Sequence, residues 1–565
     1  MSVGSMWRAR SRAPWAVLAA VGAMALFAAA CASGQTSSED TQPPGTFSAV
    51  EVDEDVGPPQ AGGVLAFGLT AETDGYEPSS SRWAASGYIV AFSIFDPLTS
   101  YSAELEVEPY LAASMEHNDD FTEWTIGVRP GVQFHDGTAV DAKAIADALT
   151  ANKASPLAGT VFDFANSFVP SADGTEVVVE MNKPWSTFPQ VLTAQTGVIR
   201  APSMATDPEA ARNPVGSGPF IFESWEQGSE LKVKKNPNYW RTGLPYLDNI
   251  EFKVISDVQA RGSTFETGGV DIFETSDPQQ IIQYTEQAKD DPDIQIFTSQ
   301  LEEGAKTLMA LNLATPPFDD PIARQAVAYG IDTEVLSEAA FSGIFPAVDG
   351  PFSENSPFYV PDHGYPEFDT AKAKELNDEY QAKYGKPLTF SFAVLPSPES
   401  QAVGQTIQAQ LAEAGIEMTV VTKEQASLLA DIVLGHYEAS AFALFGSPSI
   451  DREYVFFAGP AKPVDQFSVQ VTRISDEENA ELRAAMDKGR TTDDPETIKE
   501  QYEIVQREMS ENLNFLFLVQ ATGALVFNGD VHGALEWNLP NAEGGEGAPG
   551  QVSVVPFTAN IWISQ

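Results

Sequence analysis

Apolar residues recur along most of this chain with two spacings, and each spacing predicts one kind of secondary structure. A spacing of two, typical of half-buried strands, predicts strands at Trp124–Val128 and Ile416–Val420, and Glu176–Met181 is also expected to be a strand. A helical spacing places residues from Val403 to Ala414 on one face, and Gly415 is expected to end that helix. Strands thus alternate with helices, which predicts a mixed α/β architecture.

Cap residues predict two further helices. Asp320 and Pro321 suit the N-cap and the first position of a helix that continues to Tyr329. Thr138 and Asp141 resemble a capping box, in which two side chains bond to the backbone at a helix start. We therefore expect a second capped helix in this part of the chain.

The first thirty residues follow a different pattern. Arg8, Arg10 and Arg12 precede an uncharged stretch from Pro14 to Ala30, and this segment holds no acidic residue. Basic residues followed by a short stretch rich in small apolar residues are typical of a secretory signal rather than a spanning helix. We expect residues 1–30 to direct export and the rest of the chain to be soluble.

Cys31 is the only cysteine in the chain and directly follows this stretch. A cysteine behind small residues at the end of a signal resembles the lipobox of bacterial lipoproteins. The resemblance implies cleavage before Cys31 and a lipid on its sulfur. The alternatives are an ordinary signal peptide cut near Ala28–Ala30 and an uncleaved anchor.

Residues 31–60 are predicted to be a disordered tether. They are polar and acidic, they include Pro43, Pro44, Pro58 and Pro59, and they show no apolar periodicity. Such a composition cannot bury enough apolar surface to offset the entropy of folding.

Acidic residues outnumber basic ones so strongly that several partners become improbable. The net charge is −48, and it becomes −51 once a signal with three arginines and no acid is removed. A surface of this charge repels nucleic-acid phosphates and anionic lipid, so no nucleic-acid partner is expected and membrane attachment needs a covalent anchor. The acids either attract cationic ligands or, as we prefer, form a soluble or salt-adapted surface.

Motifs for catalysis or cofactors are sparse. The five histidines show no zinc-binding spacing, and no P-loop, dinucleotide fingerprint or nucleophile elbow is present. We therefore expect no metal and no cofactor. His135–Asp136 is interpreted as a hydrogen-bonded turn, while a catalytic carboxylate pair stays open because 80 acids offer many pairings.

Four segments together resemble the extracellular solute-binding proteins of family 5, the receptors of ABC importers for peptides and nickel. The segments are Trp124–Thr138, Pro214–Phe220, Lys235–Trp240 and Leu311–Asp332. Their order and spacing also fit, and the resemblance covers about residues 62 to 565.

The resemblance implies an α/β fold of the periplasmic-binding-protein type II-like class, with two lobes joined by a hinge and a subdomain inserted in lobe I. Carried over to this chain, it predicts a signal peptide at 1–30, a tether at 31–60, lobe I at 61–308 with an insertion at about 85–200, lobe II at 309–519, and a return to lobe I at 520–565. The hinge is expected at Leu311, Asn312, Val519 and Gln520. The lobes would close as a ligand shifts the population toward the closed state.

The resemblance also implies ligand contacts on both lobes. The expected contacts are Tyr76, Glu77, Phe445, Ser449, Asp451 and Arg452. Asp451 would meet a ligand amine and Arg452 a ligand carboxylate, which guanidinium binds bidentately. Alternatively, Asp451 only caps a helix that starts at Arg452.

The function that follows is a lipid-anchored, extracytoplasmic or periplasmic receptor that captures a peptide or similar small solute and delivers it to an ABC permease. It is expected to be a monomer and to perform no catalysis. Two alternatives stay open: an exported carboxylate-based hydrolase, and a solute sensor of the same fold without transport.

Overall fold

The computed structural model describes residues 57–102, 106–156, 159–298, 304–354, 356–444, 446, 450–536, 539–540 and 555–564. The predicted signal, Cys31 and the predicted tether up to residue 56 lie outside the described residues, as do two predicted ligand contacts, Phe445 and Ser449.

Strands and helices alternate along the described chain. The strands are β1 (Val64–Leu69), β2 (Thr99–Tyr101), β3 (Val107–Pro109), β4 (Ala112–His117), β5 (Glu123–Val128), β6 (Ala165–Pro170), β7 (Glu176–Met181), β8 (Phe220–Glu226), β9 (Glu230–Lys235), β10 (Asn249–Val254), β11 (Ile272–Thr275), β12 (Ile294–Thr298), β13 (Ala305–Leu311), β14 (Thr389–Val394), β15 (Glu417–Thr422), β16 (Ala439–Leu444), β17 (Phe515–Ala521), β18 (Ala524–Asn528), β19 (Val531–His532) and β20 (Trp562–Ile563). The helices are α1 (Ala85–Ile94), α2 (Ala142–Ala154), α3 (Phe188–Val191), α4 (Val258–Glu266), α5 (Pro278–Asp290), α6 (Pro321–Tyr329), α7 (Thr333–Phe341), α8 (Thr370–Tyr384), α9 (Pro398–Glu413), α10 (Gln425–Leu434), α11 (Tyr454–Phe457), α12 (Ala480–Gly489) and α13 (Pro495–Asn512). None of the described helices combines the length and the apolar character needed to cross a bilayer.

The strands and helices that local sequence patterns predicted are present in the structure. β5, β7 and β15 form at the predicted strands, and α6 and α9 at the predicted helices. The capping box is wrong in detail, because α2 starts only after Asp141, whose carboxylate accepts the backbone N–H of Ala144 at 2.8 Å. The Thr138 hydroxyl instead donates to Asp136 at 2.6 Å, so it stabilises the preceding turn.

Two large sheets divide the described chain into two lobes. The seven-stranded sheet has the order β12-β18-β11-β1-β10-β9-β8, with β1 parallel to both neighbours. The five-stranded sheet has the order β15-β14-β16-β13-β17. We call the parts built on these sheets lobe I and lobe II. The chain passes from lobe I to lobe II between Thr298 and Ala305 and returns between Ala521 and Ala524.

The first crossing lies several residues before the predicted hinge residues Leu311 and Asn312, whereas the second directly follows the predicted hinge residue Gln520. Leu311, Val519 and Gln520 are paired within the lobe II sheet, and the side chain of Asn312 donates to two lobe II carbonyls. Ladder hydrogen bonds hold a backbone in place, so these four residues belong to lobe II and the crossings fall outside them.

A third sheet, with the antiparallel order β4-β5-β7-β6, lies in an insertion into lobe I. Its buried residues form a separate core between Leu98 and Ala201, and we call this part the inserted subdomain. Helix α1 lies within the predicted insertion of residues 85–200, but Ile89 and Val90 pack with Phe67 in the lobe I core. The inserted subdomain therefore begins after α1.

A buried carboxylate joins the inserted subdomain to lobe I. Asp96 accepts hydrogen bonds from Ser217 (3.0 Å), Tyr239 (3.0 Å) and Trp240 (2.9 Å), and burial nevertheless raises its pKa. The Arg129 guanidinium, just after β5, lies 4.7 Å from the centre of a Trp240 ring. We call this group the Asp96 network, and it explains why three of the family-like segments occur together.

The same segments meet at the His135–Asp136 turn. The His135 Nε2 is 3.0 Å from the carbonyl oxygen of Gly218, and burial lowers the pKa of this histidine to about 4. A Cβ at Gly216 would lie 2.1 Å from the Ile94 carbonyl oxygen, so only glycine fits there. The expected structural role of this turn is confirmed.

Candidate functional site

The candidate site lies where α1 of lobe I approaches a 3-10 turn of lobe II, Ile450–Glu453. Tyr88 on α1 is buried, and burial is the main reason that its pKa is raised. The charges of Arg452 and Glu453 also act on Tyr88, in opposite directions. A hydrogen bond with the backbone of Gln195 holds the tyrosine on the lobe I side. The two lobes therefore bring an aromatic hydroxyl and two charged groups together.

Glu453 is the most unusual group in this site. Its side chain is buried, and burial raises its pKa to about 7, although the positive charges of Arg452 and Lys306 oppose the shift. The buried Oε2 atom has no hydrogen-bond partner among the described residues. A buried polar atom without a partner costs about 1–3 kcal/mol, so it marks a place where a ligand can supply the missing donor.

A small cavity adjoins this carboxyl group. Its polar lining comes from Glu453 and Lys306, and its other lining residues are Pro351, Phe352, Leu444, Gly446, Ile450 and Phe457. The cavity has a volume of about 20 Å³ and all of its lining residues belong to lobe II, so it has room for a small polar group of a ligand rather than for a whole solute.

Asp451, two residues before Glu453, has a different environment. It is 2% exposed, and its Oδ1 accepts from the Nε of Arg490. Its Oδ2 accepts from Trp185 at 3.0 Å and from Thr187 at 2.5 Å, both in the inserted subdomain. Helix α11 has Glu453 at its N-cap position, so Asp451 does not cap it. We assign Asp451 to a contact between the lobes instead of the predicted ligand contact.

Tyr76 and Glu77 find their partners within lobe I. Tyr76 is buried, with its ring edge-on to Trp225 at 5.4 Å between centroids, and burial raises its pKa. Glu77 pairs with Arg200 at 2.9 Å and accepts the backbone N–H of Ser79 at 2.7 Å. These contacts fix the loop before α1, and none of them reaches Tyr88, Arg452 or Glu453.

Of the predicted ligand contacts that the structure describes, only Arg452 lies beside Glu453 in the candidate site. Sequence reasoning missed Glu453 and Tyr88. Glu453 is adjacent to the predicted pair and could have been included, whereas Tyr88 lies 365 residues before Glu453, on an almost wholly buried helix with no distinguishing pattern. In the part of the chain that the structure describes, no group of three or more His, Cys, Asp or Glu side chains is arranged to hold a metal ion.

Comparisons with known proteins agree with this architecture. A model of bacterial extracellular solute-binding proteins, family 5 Middle, matches residues 106–459. The chain is 29% identical over 378 residues to the glutathione-binding protein GsiB of Pectobacterium atrosepticum, across 65% of this chain and 70% of that protein.

Two solved structures have the same fold. One is DppA of Helicobacter pylori, an ABC transporter-associated periplasmic binding protein in complex with the peptide STSA. It is 20% identical with a TM-score of 0.77, over 90% of this chain and 99% of that one. The other is the PBP AgaA of A. tumefacien R10 in complex with agropinic acid. It is 23% identical with a TM-score of 0.76, over 89% and 99% of the two chains.

The fold is thus that of the periplasmic binding proteins of the type II-like class, as the sequence predicted. Because the family model spans more than half of the chain, the protein belongs to the bacterial extracellular solute-binding proteins of family 5.

Proposed function

We propose that this protein is the substrate-binding component of an ABC importer, that it captures a peptide-like solute between its lobes, and that it delivers this solute to a membrane permease. We further propose that it acts as a monomer held outside the cell membrane by a lipid on Cys31. Family membership, the peptide bound to DppA and the name of the GsiB relative support the ligand class.

The observation that carries the proposal is the buried Oε2 of Glu453, which has no hydrogen-bond partner among the described residues. It adjoins a small cavity that is also lined by Lys306 and by apolar residues. The ammonium group of a peptide has the N–H donors that this oxygen lacks, and a charge-assisted hydrogen bond is shorter and stronger than a neutral one. Arg452 adjoins it with a guanidinium that suits a carboxylate. A ligand that carries both an amine and a carboxylate fits this pair.

Capture needs no covalent chemistry. A solute that bonds to Glu453 of lobe II and packs against Tyr88 of lobe I gains both contacts only when the lobes are closed, so it shifts the population toward closure. A carboxylate-based hydrolase would need a second carboxyl group facing the same solute. The neighbouring Asp451 is paired with Arg490, and the charges that act on Glu453 are basic.

Calorimetry with matched ligands tests the ligand class. The purified full-length protein is titrated with glutathione and with short peptides, each with a free amine or an acetylated one. We expect the free amines to bind and acetylation to weaken binding at least tenfold, because the acetylated nitrogen carries no charge. Equal affinity for both forms, or binding of sugars alone, would reject the proposed peptide-like ligand.

Uptake measurements test the importer. A strain without this protein is expected to lose uptake of the bound solute, whereas a sensor without transport would leave uptake unchanged. Mass spectrometry of the mature protein tests the anchor: a diacylglycerol on Cys31 supports it, and an unmodified N-terminus beyond Cys31 rejects it.

A further inference from the structure

A second contact between the lobes involves residues 185–187 of the inserted subdomain. Besides the hydrogen bonds of Trp185 and Thr187 to Asp451, the backbone N–H of Ser186 donates to the Arg490 carbonyl oxygen at 2.7 Å. The Ser186 hydroxyl is 3.0 Å from the same oxygen and 2.5 Å from the carbonyl oxygen of Thr492. Each residue of this short segment therefore bonds to lobe II.

Aromatic rings from both lobes surround the Arg490 guanidinium. Its central carbon lies 4.9 Å from the ring centre of Phe164, 4.5 Å from that of Trp185 and 3.8 Å from that of Tyr454. Cation–π contacts strengthen when the cation is removed from water, and Arg490 is only 2% exposed. Phe164 and Trp185 belong to the inserted subdomain, so this enclosure exists only while the lobes are closed.

Asp451, which accepts these hydrogen bonds, and Glu453, the candidate ligand-binding residue, lie in the same short element. Asp451 and Glu453 both lie in the turn Ile450–Glu453, and Tyr454, which packs on Arg490, directly follows it. Any contact that holds Asp451 against the inserted subdomain therefore also fixes the position of Glu453.

We propose that Trp185, Ser186 and Thr187 form a latch that holds the lobes closed without touching the ligand and positions the turn that carries Glu453. These are positioning residues, since their described partners are protein groups of lobe II and of the inserted subdomain itself. The part of the proposal that concerns Glu453 rests on the proposed function, whereas closure of the empty protein does not. The latch makes closure partly independent of the ligand. Because only closed molecules gain both ligand contacts, breaking the latch lowers the apparent affinity in proportion to the fall in the closed fraction.

Single-molecule fluorescence energy transfer measures closure directly. The full-length chain with Cys31→Ser carries dyes at Lys143→Cys on α2 and Lys374→Cys on α8, whose side chains are 73% and 58% exposed. Thr187→Val removes the latch hydroxyl, and Thr187→Ser keeps it. Thr193→Val is the matched control, because that buried hydroxyl bonds at 2.8 Å to Gln190 within the inserted subdomain.

Without ligand, we expect the original chain, Thr187→Ser and Thr193→Val to share a mainly closed distance distribution, and Thr187→Val to lower the closed-to-open ratio at least fivefold. Trp185→Phe, which keeps the ring but removes its N–H, should shift the ratio in the same direction. An empty protein that is mainly open, or a Thr187→Val distribution equal to that of Thr187→Ser, would overturn the latch.

Titration with the tetrapeptide Ser-Thr-Ser-Ala separates this proposal from the proposed function. A weaker affinity in Thr187→Val, by the same factor as the fall in its closed fraction and restored in Thr187→Ser, supports the latch. If the peptide binds no variant while the closed ratio still depends on Thr187, the ligand class fails and the latch stands. If the peptide binds all variants equally, the positioning of Glu453 by the latch is rejected.

Discussion

One turn of lobe II carries two buried carboxyl groups that differ in their hydrogen-bond partners. Asp451 has an arginine and two neutral donors as partners, while Glu453 has an oxygen without any described hydrogen-bond partner and a pKa raised to about 7. Burial alone therefore does not identify a ligand contact. The satisfied carboxylate belongs to the latch, and the unsatisfied one belongs to the candidate binding site.

Removal of the satisfied carboxylate should have the largest effect. Asp451→Ala leaves the Arg490 charge buried without its partner, which destabilises proteins by about 3–5 kcal/mol. Denaturant unfolding measures the loss. The double variant Asp451→Leu, Arg490→Met should recover most of it, and a single-variant loss below about 1 kcal/mol would contradict the asymmetry between the two carboxyl groups.

The pH dependence of stability should reveal the unsatisfied carboxyl group. Between its ordinary pKa of 4.5 and its folded pKa of about 7, Glu453 keeps a proton in the folded state that the unfolded chain has lost. Stability from this group is therefore full below pH 4.5 and is lost as the pH rises to 7, by roughly 3 kcal/mol. The difference between the unfolding free energies of the original chain and Glu453→Gln, measured from pH 4.5 to 8, isolates this change.

The same substitution should weaken ligand binding. Glu453→Gln keeps the shape but removes the charge that receives an ammonium group, so we expect about 100-fold lower affinity for a free-amine peptide near pH 8. Glu413→Gln, at an exposed position on α9, is the matched control. Because the amine requires the ionised carboxylate, affinity in the original chain should rise with pH up to about 7. A pH-independent affinity would argue against this contact.

The exposed ion pair beside the latch should contribute least to the unfolding free energy. Lys183 and Asp487 form an ion pair of 2.9 Å between the lobes, but the lysine side chain is 55% exposed. Exposed ion pairs contribute about 0–1 kcal/mol, so Lys183→Met should change the unfolding free energy by less than 1 kcal/mol. An effect as large as that of Asp451→Ala would mean that this exposed pair, rather than the buried centre, holds the lobes together.

Local patterns predicted the elements better than the site. Asp320 caps α6 and the spacing from Val403 predicts α9, because caps and apolar faces are properties of neighbouring residues. The role of Asp451 depends on Trp185, which lies 266 residues before it, and on Arg490, 39 residues after it. A local sequence pattern gives no information about partners that lie so far apart along the chain. Thr138 shows a limit at short range as well, since its hydroxyl bonds to Asp136 two residues earlier and does not cap α2.

The Asp96 network has a mechanical consequence. It bonds the start of the inserted subdomain to Ser217, Tyr239 and Trp240 of lobe I, so a movement of the subdomain relative to lobe I would have to break buried hydrogen bonds. The inserted subdomain and lobe I are then expected to move as one rigid body, which carries the segment Trp185–Thr187. A force that separates lobe II from this segment is therefore transmitted through the inserted subdomain to the seven-stranded sheet. The two chain crossings between the lobes carry only the rest of that force.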